Sequence, residues 1–561
     1  MAEHGVLLVP GAAAGPVVCC DEGLSFWGGV DPDTGRIIDA HHPNHGQDLA
    51  GRVVLMPSSR GSCSGSGVLL QLARAGVAPA ALVFRDEENI LTLGAMIAAT
   101  LFDAPVPVVR LSGDVYDRLS RAMSAQLAGD RLTFDGQEFC LKVPRVEDLD
   151  LSAADRAMLS GAEGPAVAIA MEVLCLIAAA QAARGFVDVS CAHIDGCILA
   201  HDANLDFAEK MFEMGARVRI PTTINAISVD RENWQTQGVP PVFGSKASRL
   251  ADAYVKMGAR ATFTCAPYLL EDAPKQDEAI GWSESNAVIY ANSVLGARTV
   301  KHPDYLDLFI AMTGRAPQTG VYLDEHRRPG VVIDVDVPDA LDDAFWPMLG
   351  WLSGMKSPGA VPVLTGLEGI DASADDLKAL CAAFGTTSAA PLIHVRGHTP
   401  EGRLEPLDHA DHLSITRGEL SDVWRQFNAG DASVDLVAIG SPHASSSECE
   451  RLADLLDAQV VQAQVPIIVT LGRDVMAKAK ASGVLDRLSQ AGVQVIQDLC
   501  WCSITEPVFP VGTKTLMTNS GKYAHYADGL TGCGVRFGSL RDCVDAAMTG
   551  RVREDLPGWL S

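Results

Sequence analysis

Residues 51–76 read GRVVLMPSSRGSCSGSGVLLQLARAG: an apolar run, a Ser- and Gly-rich loop, then a second apolar run of different period. The first run, VVLM, is short and continuous, as a strand buried on both faces must be. The second, GVLLQLARAG, spaces its apolar residues three and four apart, which predicts a helix beginning near Val68. A strand–loop–helix unit of this kind builds parallel α/β sheets, in which chemistry collects beyond the carboxyl ends of the strands. The loop itself matches no stock motif. Its glycines at 61, 65 and 67 do not fit G-x-G-x-x-G, and the Gly-Lys-Ser/Thr ending of a phosphate loop is missing. No serine in it has glycine two residues away on both sides, as a hydrolase nucleophile elbow requires. Cys63 does have that spacing, which leaves a Cys-nucleophile hydrolase as one reading.

Working outward, GVLLVPG, ALVFRD, VPVVRL and RLTFDGQEFCLKV are further β-rich runs, and LTLGAMIAATLF has helical spacing. The character changes at VEDLDLSAADRAMLSG, where Ser152 is a candidate helix N-cap. Two domains are expected, residues 1–145 and 146–561. In the second, FVDVSCAHID, ARVRIPTTIN, ARATFTC, VDLVAIG, VPIIVTLG and VQVIQD read as strands. They alternate with helical stretches such as DFAEKMFEMG and SECERLADLLDAQ, which predicts parallel α/β layers.

Composition narrows the function class. The 561 residues are 48% hydrophobic with a net charge of −26, which argues against a nucleic-acid footprint or an anionic membrane surface. No 20-residue apolar span is present to cross a membrane. The N-terminal stretch reads as a strand and turn, not a leader. A cytoplasmic protein is expected, a monomer or small homo-oligomer acting on a small molecule. Its 14 cysteines are then reduced thiols, metal ligands or catalysts.

Four strand ends carry unusual residues. VSCAHIDGC (189–197) places Cys191, His193, Asp195 and Cys197 at alternate positions, so that all can share one strand face. TFTCAPY ends in Cys265, VAIGSPHASS carries Ser441 and His443, and VIQDLCWC carries Cys500 and Cys502. Taken singly, each cysteine reads as a small buried hydrophobe. Cys-x-Cys is not zinc-ribbon spacing. Thiolates from separate strand ends can nonetheless converge on an iron–sulfur cluster, which needs soft ligands.

Polar residues are set into apolar surroundings in GWSESNAVIYANSVLGART (281–299), which carries Glu284, Ser285, Asn292 and Arg298. Such groups are costly to bury unless paired. MTNSGKYAHYADG (517–529) supplies Asn519, Ser520 and Lys522 where a helix should begin, an end suited to anions. PTTIN (221–225) ends its strand in Thr222, Thr223 and Asn225, and IHVRGHTPE adds His394, Arg396 and His398. Each could be a capped turn; together they form an anion-friendly set at strand ends.

These segments resemble the aconitase X family. GSCSGSG, the HIDG turn, PTTIN, MGARATFTCAPYL, WSESNAVIYANSVLGART, HVRGHTPE, GSPH, DLC and TNSGKYAHY occur in family order over nearly the whole chain. The resemblance implies a small swivelling β-rich domain fused N-terminal to, and closing over, a large multi-layer aconitase-like α/β domain with an iron–sulfur cluster. It implies a dehydratase. The single-chain form points to cis-3-hydroxy-L-proline, a hydroxylated imino acid, converted to Δ1-pyrroline-2-carboxylate by C2 proton abstraction and loss of the C3 hydroxyl. A phosphorylated hydroxy acid such as mevalonate 5-phosphate is the alternative substrate. A non-catalytic iron–sulfur sensor is the alternative of another class.

By the same resemblance the base is a loop serine: Ser62 first, then Ser64 and Ser66, with Arg60 biasing the local potential. Substrate contacts are expected from Ser66, Trp27, His193, Asp195, Thr222, Thr223, Asn225, Glu284, Ser285, Asn292, Arg298, Asn519, Ser520 and Lys522. Cys265 and Cys500 carry over as cluster ligands. The chain has no C-x2-C, and GSPH puts Ser441 where relatives have cysteine, so the third ligand is Ser441, with Cys502 or His443 as alternatives. Fewer thiolates imply [2Fe-2S].

Overall fold

The computed structural model describes residues 4–40, 42–60, 63–459 and 463–561. The chain forms two compact units: Met1–Thr222 with Lys256–Gly258 and His302–Thr319, and Thr223–Val255 with Ala259–Lys301 and Gly320–Ser561.

The first unit is led by an eight-stranded sheet. Its strands are β1 (Gly5–Val9), β2 (Ala13–Cys19), β3 (Val53–Met56), β4 (Ala81–Phe84), β5 (Val108–Leu111), β6 (Ser124–Ala128), β7 (Arg131–Phe134) and β8 (Gln137–Cys140), in the order β1-β5-β4-β3-β2-β6-β7-β8. Strands β2 to β5 run parallel, while β1 and β6 to β8 pair antiparallel at the two flanks. The burial follows the pairing. β3 and β4 are buried at every residue, whereas β6 alternates exposed and buried, as a strand with one wet face does. RLTFDGQEFCLKV folds as a β7–β8 hairpin turned by Asp135 and Gly136, both at positive φ (49° and 72°).

Helices α1 (Gly65–Ala75) and α2 (Ile90–Phe102) follow β3 and β4. The first starts at Gly65, one turn earlier than the apolar spacing predicts, because small residues at 64–66 take helical torsions and the Ser66 hydroxyl donates to the Cys63 carbonyl (2.8 Å). The two helices meet closely. A Cβ on Gly94 of α2 would lie 2.6 Å from the Ser66 carbonyl oxygen. Beyond the sheet, Ser152 is the N-cap expected for the helix Ala153–Leu159, and Asp155 completes a capping box with it. The strand in VSCAHIDGC covers only Ala192–Ile194. The Cys197 amide then turns back to the Asp195 carbonyl (2.6 Å), so the alternating face does not form.

The second unit contains two parallel sheets. One has the order His394–Val395, Pro362–Thr365, Val331–Val335, Asp411–Ile415. The other has the order Gln494–Gln497, Ile467–Leu471, Leu436–Ile439, Thr515–Thr518, Gly534–Phe537. In this second sheet the chain moves outward from Leu436–Ile439 on one side, then crosses to the other. Its switch point therefore lies beside that central strand, the place where open α/β sheets bind ligands. The expected strand in ARATFTC is absent. Phe263 takes φ 42°, and the Thr262 hydroxyl accepts from the Ile224 amide (3.0 Å), replacing a ladder bond.

Candidate active site

The carboxyl ends of the second sheet deliver the chemistry. Leu436–Ile439 runs into Gly440-Ser441-Pro442-His443, Gln494–Gln497 into Asp498-Leu499-Cys500, and Thr515–Thr518 into Asn519-Ser520 and the helix Gly521–Thr531. Gly440 sits at φ 100°, and a Cβ there would meet the Thr470 carbonyl oxygen at 2.2 Å, so this turn admits only glycine. Cys265 arrives separately, from the irregular segment after Phe263.

Cys265, Cys500 and Cys502 pack together around Ala226; Cys265 is 1% and Cys500 3% exposed. Hydrogen bonds from Cys265 and Cys502 hold the Cys500 thiol well below its ordinary pKa. Burial, then the bond to Cys500, pushes Cys265 up; the bond to Cys500, then burial, does the same for Cys502. Cys500 is thus the thiol that the other two favour as the hydrogen-bond acceptor of the trio. The Ser441 hydroxyl, 5% exposed, is buried with no hydrogen-bond partner.

His443 is a strut between two thiol-bearing segments. Its amide donates to Cys265 Sγ (3.3 Å), and its ring contacts Thr264 Oγ1 through Nδ1 (3.2 Å) and the Leu499 carbonyl through Nε2 (2.6 Å). A carbonyl only accepts, so Nε2 carries the proton and Nδ1 accepts from the threonine. Burial keeps the imidazole neutral by lowering its pKa. With both nitrogens engaged, His443 has no lone pair to offer, contrary to its expected role as an alternative ligand.

Beside the thiols lies a buried ion pair. Lys522, in the first turn of its helix, donates to Glu284 Oε1 at 2.9 Å, and both side chains are nearly enclosed (10% and 13% exposed). Burial opposes both charges, yet Lys522 holds Glu284 below its usual pKa, and Glu284 with the three thiols raises Lys522 well above its own. Asn225 donates to Glu284 Oε2 (3.2 Å), and Asn286 donates both to Glu284 and to the Cys265 carbonyl (3.0 Å). Tyr268 completes the chain by donating to Asn286 Oδ1 (2.9 Å). Ser520 caps the Lys522 helix by accepting from the Tyr523 amide, and its hydroxyl donates to the Ser441 carbonyl. Asn519 precedes it half-buried, and Ser285 opens the helix that Glu284 caps.

The other expected contacts have partners of their own. Asn292 lies in a π-turn (Ala291–Leu295); its amide donates to the Thr299 and Pro391 carbonyls and accepts from the Thr299 amide and Arg327. It braces the fold with its full bonding capacity. Arg298 is held by Asp324, Asp277 and the Tyr322 carbonyl. The Thr222 hydroxyl returns to the Ile220 carbonyl (2.8 Å), and Thr223 bridges to Arg260. In the first unit, His193 is fully buried, and the Asp195 amide donates to Asp307 (2.6 Å). The Trp27 ring lies 6.2 Å from that of His201. Ser62 falls outside the described residues. Ser64 occupies the N-cap of α1, and Ser66 is buried in its first turn. Arg60 is partly exposed and paired with Glu22 (3.4 Å) and Asp39 (3.2 Å), which offsets the positive potential expected of it.

Sequence reasoning passed over Asn286, Tyr268, Thr264, Asp498 and Arg473, all of which touch this framework or its supports. Asn286 lies inside the WSESN stretch and Arg473 directly follows a strand end, so both were within reach of the rule used for the others.

An iron–sulfur cluster needs thiolates in a dry place. Among the described residues no three His, Cys, Asp or Glu side chains are grouped to hold a single metal ion. Three soft thiols packed together in a buried place, with the unpartnered buried hydroxyl of Ser441, are donors of the kind such a cluster takes. The donor set therefore fits the cluster that the fold family implies.

Comparison with known proteins agrees along the whole length. Residues 3–135 match the aconitase X swivel domain, 148–325 the first domain, 329–425 the second and 434–549 the third. The chain is 45% identical over 580 aligned positions to cis-3-hydroxy-L-proline dehydratase of Pseudomonas aeruginosa, covering 100% of this chain and 99% of that one. It is 43% identical to the Hypocrea jecorina enzyme of the same name (99% and 97%). The phosphomevalonate dehydratase large subunit of Methanothermobacter thermautotrophicus is 32% identical, covering 68% of this chain and 94% of its own. The crystal structure of holo aconitase X from Thermococcus kodakaraensis superposes with a TM-score of 0.65 at 30% identity, over 71% of this chain and all of that one. The chain belongs to the aconitase X family.

Proposed function

We propose that the protein is a hydro-lyase that converts cis-3-hydroxy-L-proline to Δ1-pyrroline-2-carboxylate. The observation that carries this reading is 45% identity to a dehydratase of that name across the full length of both chains. The chemistry is a β-elimination. The C2 proton leaves to a base, the C2–C3 double bond forms, the C3 hydroxyl departs as water, and the enamine tautomerises to the cyclic imine.

The C2 proton is weakly acidic, so the developing charge on the adjacent carboxylate must be stabilised. Lys522, held by Glu284 and backed by Asn225 and Asn286, presents a fixed ammonium whose geometry needs no rearrangement. The free amides at the start of the Gly521–Thr531 helix add a positive dipole end. Ser62 is the base; the helix α1 that begins at Gly65 places a positive end just after it. Cys265, Cys500, Cys502 and Ser441 would hold the iron–sulfur cluster, of [2Fe-2S] type. When bound, that cluster supplies Lewis-acid pull on the carboxylate or the leaving hydroxyl.

Lys522 already has its counter-charge in Glu284, an arrangement suited to a zwitterionic imino acid more than to a doubly charged phosphate. The deciding experiment is turnover by purified holoprotein, followed as Δ1-pyrroline-2-carboxylate formation, with mevalonate 5-phosphate as the competing substrate. Turnover of the phosphate ester alone overturns the reading.

No helix among the described residues is long and apolar enough to cross a membrane.

A further inference from the structure

Asp498 is fully buried and sits at φ 71°, two residues before Cys500. Phe263 sits at φ 42°, two residues before Cys265. A left-handed backbone costs a non-glycine residue energy and persists only where the surroundings impose it. One side chain lies against both positions. Arg473 grips the Asp498 carboxylate with two prongs, Nε to Oδ1 at 2.6 Å and Nη2 to Oδ2 at 2.7 Å. Its guanidinium carbon lies 4.6 Å from the centre of the Phe263 ring. The Asp498 carbonyl also accepts from the Ile227 amide (2.7 Å), next to Ala226 of the thiol cluster.

We propose that Arg473 is a positioning residue for the thiol centre, locking the Cys265 and Cys500 segments in register through one guanidinium. The inference rests on reading Cys265 and Cys500 as cluster ligands. Arg473 touches neither cysteine. It acts through Asp498 on one segment and through Phe263 on the other. The planar fork and the ring-facing surface are both used, and lysine provides neither. The His443 strut joins the same two segments from the thiol side, and Arg231 also spans them more loosely, its amide on Asp498 Oδ2 (3.4 Å) and its guanidinium carbon 5.6 Å from the Phe263 ring centre. Loss of Arg473 leaves a buried carboxylate without its charged partner, held by the long bond from the Arg231 amide (3.4 Å).

The test uses full-length protein purified without oxygen. Arg473→Ala is expected to lower iron and sulfide per chain at least fivefold on reconstitution. In iron-free protein, alkylation of Cys265 and Cys500, followed by peptide mass spectrometry, should speed up at least tenfold, while Cys175 and Cys543 keep their wild-type rates. Arg473→Lys should fall between wild type and alanine in both readouts, with a shifted visible and EPR spectrum. Should Arg473→Ala fail to fold, Asp498→Asn keeps the shape and tolerates the left-handed backbone, and must show the same selective alkylation. Wild-type iron loading, spectrum and thiol protection in these variants overturn the proposal. The alkylation arm needs neither substrate nor cluster, so it separates failure of this tie from failure of the dehydratase reading.

Discussion

Two regions of the molecule end their strands in chemistry, and they hold it in opposite ways. In the N-terminal sheet a single strand, β3, leads toward the serine loop, and the described residues flanking Gly61 and Ser62 are Arg60, held in surface ion pairs, and Cys63, Ser64 and the first turn of α1. In the C-terminal sheet three strand ends and the Cys265 segment converge, and the side chains there are bonded several times over. His443 bonds four other residues, Glu284 accepts from three side chains, and Asp498 is clasped by a bidentate arginine. The difference suits the roles proposed. Groups that hold a cluster must be rigid before it arrives. A proton-transferring loop must let substrate in and product out.

The contrast can be broken by substitution. The largest effect is expected at the rigid end: Cys500→Ala or Cys265→Ala should abolish both the visible absorbance of the cluster and turnover, a loss of about 10⁴-fold or more. A coloured, active variant removes that cysteine from the ligand set. Ser62→Ala should lower kcat by about 10³-fold, within the range for a lost general base, and leave iron content unchanged. If iron falls together with activity, the two regions are not separable as described.

Glu284→Gln should destabilise the protein by about 3 kcal/mol, because it strands the buried Lys522 ammonium. The pH profile sharpens the point. Glu284 is depressed from its ordinary value of 4.5, so its contribution is present above that value and lost as the pH falls through the lower one. Lys522 is raised above 10.5, so its contribution is present below that and lost as the pH rises further. The stability difference between wild type and Glu284→Gln, measured by urea unfolding, should thus be flat from about pH 5 to 10 and shrink towards both acid and strong alkali. The smallest effect belongs to Ser152→Ala, which removes the N-cap of the helix Ala153–Leu159 and should cost about 1 kcal/mol with unchanged kcat.

Much of this architecture was legible in the sequence, for local reasons. The parallel strands announce themselves as short unbroken apolar runs, Ser152 as a helix cap by the change to an acidic helical stretch, and RLTFDGQEFCLKV as a β-rich run. Cys265, Cys500, Glu284 and Lys522 stand out in the sequence because they follow strand-like runs, and the structure groups the two cysteines and pairs Lys522 with Glu284. What stayed hidden depends on partners far along the chain. Phe263 reads as a strand residue until Arg473, 210 positions later, is laid against its ring. Asn292 reads as a substrate ligand until Arg327 and Pro391 take up its amide. His443 reads as a metal ligand until Thr264 and Leu499 claim both nitrogens. Composition and spacing carry no record of such bonds.

Gly67 has a practical corollary. A Cβ at this position would stand 2.8 Å from the Tyr305 hydroxyl and 3.2 Å from Asn204 Nδ2, two groups that already bond each other at 2.9 Å. The first turn of α1 is thereby fixed by its neighbours, whatever precedes it. Anyone seeking to retarget the enzyme by randomising the serine loop has a downstream limit written into the structure. Variety belongs before Gly65, and a library that reaches Gly67 will spend its members on proteins that no longer close that turn.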